Sequence, residues 1–93
     1  MARSNLIEVA NTFLDWERPW TFYPAVLNQL SHDSNDPEIF LQIWVEACRA
    51  DHWQQTDVSK GCDACDSGLK KEFPWLPEDA RAQFVRAASY QWK

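Results

Sequence analysis

Residues 36–53, DPEIFLQIWVEACRADHW, decide the fold. At 100° per residue Glu38, Gln42, Glu46 and Arg49 gather within roughly 80° of one another, while Ile39, Phe40, Leu41, Ile43, Trp44, Val45, Ala47 and Cys48 fill the remaining circumference. The pattern predicts one long helix over 36–53 that is buried on most sides. Its start is well marked: Asp36 suits the cap, Pro37 the first helical position, and Glu38 the positive end of the dipole. The rest of the chain is expected to wrap it.

Outward from this stretch, three more helices are predicted. Leu6, Val9, Ala10, Phe13 and Leu14 share a face over 5–17, and Val26, Leu27 and Leu30 do so over 24–31, where Pro24 suits a helix start. Over 77–91, Pro77, Glu78 and Asp79 begin a helix whose apolar side carries Ala80, Phe84, Ala87 and Ala88. The expectation is an all-α bundle of four main helices forming a single domain over 1–93, with a core built around Phe13, Phe40, Trp44 and Phe84. Residues 54–75 show no sustained period and are expected to be an irregular loop. A connection of that length needs an organiser, and either a short helix capped by Asp66 or Ser67 and ending before Pro74, or a metal ion, would provide one.

The chain has 93 residues and a formal net charge of −5. The charge is concentrated: residues 31–66 hold eight acids against two bases. Such a surface repels phosphate, so direct nucleic-acid binding is not expected. No apolar run approaches the ~18 residues of a membrane span, and no signal-peptide core is evident, so a cytoplasmic protein without membrane contact is expected. Three cysteines, an odd number, argue for reduced thiols or a metal site over a secreted disulfide framework. The fragment PWLPEDARAQF, residues 74–84, resembles pieces of small phage-borne helical proteins, which would imply a phage or mobile-element origin; its content is mainly helix-start signals.

Two constellations carry chemistry. Cys48 and His52, four apart on a helix, together with the Cys62–Cys65 pair, have the residue types and reach of a Cys3His zinc site. Each half also has a plain explanation: a small core thiol for Cys48, a helix-end histidine for His52. The reading preferred here is no cofactor, with a zinc-stapled adaptor as the alternative. A nucleophilic pair such as Cys62 with His52 would make a small enzyme, but neighbouring acids raise a thiol pKa and make it less reactive, so an enzyme is not expected.

The second constellation is aromatic. The chain has six tryptophans, more than a small helical core can bury. DWERPWTFYP, residues 15–24, packs Trp16, Arg18, Trp20, Phe22 and Tyr23 between prolines, and Trp, Tyr and Arg concentrate at the energetic centres of interfaces. With Asp33 and Asp36 as an acidic flank, these residues form the expected partner-binding patch. The predicted function is a small acidic protein-binding module, an inhibitor or adaptor. A nucleic-acid-binding enzyme is one partner its charge would suit.

Overall fold

Residues 58–72, expected as loop, form the longest helix among the described residues. The computed structural model describes the backbone of residues 2–30, 35–54 and 57–91, and these contain helices and turns only. The helices are α1 (Ala2–Thr12), α2 (Phe22–Gln29), α3 (Asp36–Ala47), α4 (Ala50–Trp53), α5 (Val58–Glu72) and α6 (Glu78–Gln91), with a 3-10 turn at Pro19–Thr21 before α2. The architecture is the expected all-α bundle. None of the described helices is long and apolar enough to cross a membrane.

α5 escapes detection by periodicity because its packing face is small instead of oily. Among its residues whose burial is described, Gly61, Cys65 and Leu69, spaced by four, are buried. Asp57 caps it, its Oδ1 accepting the Ser59 N–H at 2.8 Å, and Lys70 and Lys71 complement the negative end. The helix stops before Pro74 as the sequence suggested, but it begins at Val58, well ahead of the expected Asp66 or Ser67 cap.

The helix predicted over 36–53 is two helices. α3 ends at Ala47, Arg49 is extended (φ −60°, ψ 132°), and α4 turns back over α5. In an unbroken helix the Ala47 carbonyl would accept the Asp51 N–H; here the Trp53 indole Nε1–H donates to it at 2.7 Å and the Cys65 thiol donates at 3.4 Å. The break is therefore paid for by tertiary groups. α3 is also less enclosed than its composition implied. Its buried residues are Asp36, Phe40, Ile43 and Ala47, a single seam, while Val45 is 58 % exposed and Leu41 46 %.

α6 occupies the centre instead, packing against α1, α3, α5 and the 3-10 turn. Ala80, Ala87 and Ala88 let neighbouring backbones come close, and Phe84 fills the middle. The central aromatic set is Phe22, Phe40 and Phe84, with Phe22–Phe84 centroids 5.4 Å apart edge to face and Phe40–Phe84 centroids 5.6 Å apart. Phe13 joins it through Phe22 at 5.2 Å. Trp44, expected in the core, is half-buried at its edge.

α1 ends at Thr12, five residues short of expectation, because α6 supplies its terminus. The Gln83 side-chain amide donates to the carbonyls of Ala10 (3.1 Å) and Phe13 (3.0 Å), groups a helix end leaves unsatisfied. Beyond this cap the chain turns, which puts Leu14, expected to face inward, 83 % in solvent.

Candidate functional site

The chain between α1 and α2 builds one wall of a cleft. Pro19 fixes the 3-10 turn, and the Thr21 hydroxyl closes that turn by donating to the Arg18 carbonyl at 2.6 Å. Successive residues then point in different directions, so Trp20 stands out at 69 % exposure while Phe22 is buried in the core. Tyr23 and Pro24 continue the wall from the first turn of α2, Trp44 and Cys48 supply the floor from the end of α3, and Ala87, Tyr90 and Gln91 close the far side from the end of α6. The cleft is open on one side and its volume is about 810 Å³, which is ample for a bound side-chain cluster or short segment.

The aromatic walls are held by ring packing. Tyr23 lies 5.8 Å from Trp44 and 5.4 Å from Phe40, centroid to centroid. Tyr90 stacks on Trp16 at 6.3 Å, Trp16 stacks on Phe22 at 5.8 Å, and the Arg86 guanidinium sits 4.3 Å from the Trp16 ring centroid. Trp16 is thus pinned as support behind the cleft. Trp20 makes no ring contact or hydrogen bond among the described residues.

The expected partner-binding patch divides accordingly. Trp20 and Tyr23 line the cleft, and Trp16 buttresses it. Arg18 is exposed nearby and occupied by Asp15, to which its Nε–H donates at 2.9 Å. Phe22 is corrected from surface to core, because it is fully buried among Phe13, Phe40 and Phe84. Asp36 is likewise fully buried in the first turn of α3, where the positive end of the dipole favours a carboxylate; the cap position itself falls to Asn35. Asp33 lies outside the described residues. Trp44, Cys48, Tyr90 and Gln91 were not foreseen as lining. Tyr90 carried the available signal, one more aromatic than the core could hold.

Near the cleft, α4 docks on α5 through the only two glycines of the chain. Trp53 covers Gly61, where a Cβ would meet its Cε3 at 2.7 Å, and His52 covers Gly68, where a Cβ would meet its Cε1 at 2.7 Å. The His52 Nε2–H donates to Glu46 Oε2 at 2.6 Å, since a carboxylate only accepts, and Arg49 bridges Glu46 (3.2 Å) and Asp51 (2.7 Å). This places His52, Cys48, Cys62 and Cys65, the four residues of the expected zinc alternative, in one neighbourhood. The His52 Nε2 is spent on Glu46, and among the described residues no three His, Cys, Asp or Glu side chains are arranged to hold an ion.

Burial pushes the Cys48 thiol up to about 11 and the Cys65 thiol up to about 12, the latter helped by the nearby Cys48, Cys62, Asp66 and Glu46. Both are protonated near neutral pH and poor nucleophiles. No protein-family model, curated protein or solved structure matches this chain.

Proposed function

We propose that this chain is a small, non-enzymatic protein-binding module, an inhibitor or adaptor, that engages its partner through the aromatic cleft with Trp20 as anchor. The observation that carries the reading is a tryptophan 69 % exposed at the rim of a cleft walled by Tyr23, Trp44 and Tyr90. Exposing that much indole is unfavourable in isolation and favourable once a partner covers it, and such residues dominate interface energetics. The lining also favours binding over chemistry. Among the described residues it contains no carboxylate, imidazole, ammonium or guanidinium, and the Cys48 thiol is held neutral. The net charge of −5 suits a partner with a basic surface, which it would attract at long range.

The test is affinity capture from host lysate on the intact chain and on Trp20→Ala in parallel. A partner retained by the first and lost from the second, with both proteins showing the same circular dichroism, supports the reading. Equal retention by both would move the interface away from the cleft.

A further inference from the structure

The cleft has a hydrogen-bonding character as well as a shape. The indole N–H groups of Trp20 and Trp44 and the hydroxyl of Tyr23 have no hydrogen-bond partner among the described residues, whereas the indole of Trp53 is bonded to Ala47. An indole N–H can only donate; among the described lining residues there is no carboxylate, and the Gln91 amide and the two tyrosine hydroxyls can donate as well as accept. The surface thus presents aromatic faces with donors between them. Its complement is an apolar ligand rich in unsatisfied acceptors.

On this basis, and resting on the reading of the cleft as a protein-binding site, we infer that the cleft takes a proline-rich segment in the polyproline II conformation, flanked by arginine or lysine. Proline has no N–H, and in polyproline II every backbone carbonyl faces outward without an internal partner, so such a segment offers acceptors and ring faces together. A helical ligand has its carbonyls satisfied internally and leaves the indole donors idle. Strand addition needs a free sheet edge, and the described residues contain no strand. Pro19 and Pro24 stiffen the receiving wall, and a polyproline ligand is itself pre-ordered, so little conformational entropy is lost on docking. The basic flank follows from charge. Glu17, exposed two residues before Pro19, makes no salt bridge among the described residues, and the whole chain carries −5.

The inference is tested by panning a displayed library of random peptides, each about twelve residues or four polyproline II turns long, on the immobilised full chain with Trp20→Ala as counter-selection. Retained peptides are then titrated into isotopically labelled protein while the indole resonances are followed. The expected result is enrichment of prolines three residues apart with Arg or Lys at one end, and shifts of the Trp20 and Trp44 indole signals. Replacing the ligand prolines by alanine should weaken binding by at least about tenfold, as should Trp20→Ala, a loss typical of an interface anchor. Tyr23→Phe, which removes only the hydroxyl, should weaken it several-fold, with the fold checked by circular dichroism. Trp20-dependent peptides without proline, or with apolar residues at helical spacing, would overturn the ligand class and leave the module reading standing. No retained peptide overturns this inference as well, and the lysate capture then decides the module reading separately.

Discussion

The indole nitrogen of Trp53 donates to the carbonyl oxygen of Ala47 across 2.7 Å, and this bond ends α3. It replaces the helical bond that a continuous helix would make there, and it fixes the direction in which α4 leaves. Because Cys48, the next residue, lines the cleft floor, the same bond sets one boundary of the candidate site.

Trp53→Phe keeps most of the ring packing and deletes the donor. A buried carbonyl that loses its main partner costs about 1–3 kcal/mol, so the urea midpoint should fall by that equivalent with an unchanged slope. An unaltered midpoint would mean that the break in the helix is held by something else.

Gly61→Ala separates propensity from packing. Alanine in a helix interior is favoured over glycine by about 1 kcal/mol, yet the new methyl would sit 2.7 Å from Trp53 Cε3 and displace the anchored ring. The expected sum is a net destabilisation of about 1 kcal/mol or more in chemical denaturation. A stabilised variant would contradict the close docking of α4 on α5.

Gly61 and Gly68 also explain why α5 shows no helical period in the sequence. A helix announces itself through apolar residues at i, i+3 and i+4, as α1 and α6 do with Leu6, Val9, Ala10, Phe13 and with Ala80, Phe84, Ala87, Ala88. α5 instead carries Gly61, which admits Trp53, and Gly68, which admits His52, beside buried Cys65 and Leu69. Nothing local marks the break after Ala47 either, since no proline or glycine stands there and the groups that stabilise it come from Trp53 and Cys65. The aromatic site was half legible: clustering and prolines picked out Trp20 and Tyr23, but only the turn geometry separates exposed Trp20 from buried Phe22.

Phe22 and Trp44 exchange the roles the sequence suggested. Phe22→Ala should cost on the order of 3–5 kcal/mol, because it opens a cavity beside Phe13, Phe40 and Phe84. Trp44→Ala, on a half-buried cleft residue, should cost clearly less and act mainly on partner binding. Thermal unfolding of the two variants side by side checks the order.

The thiols give a pH signature. With pKa values raised from 9.0 to about 11 at Cys48 and about 12 at Cys65, the folded state holds these protons more tightly than the unfolded chain. Their stabilising contribution is complete below pH 9 and is lost as pH rises through the folded-state values. Stability should therefore fall from pH 9 upward, and Cys65→Ala should reduce that fall. At neutral pH native Cys48 and Cys65 should react slowly with iodoacetamide, all three thiols should titrate after mild unfolding, and the purified protein should carry no stoichiometric zinc. About one bound zinc per chain would instead revive the Cys48, His52, Cys62 and Cys65 centre.

The central claim is that the aromatic cleft carries the binding function, and the most direct measurement is the affinity of the captured partner for Trp20→Ala relative to the unaltered chain. Trp20 is 69 % exposed and supports no other ring, so the variant should keep its circular dichroism and melting temperature. The predicted result is a loss of about 2 kcal/mol or more, roughly thirtyfold in Kd. An unchanged Kd in a folded Trp20→Ala protein would contradict the account.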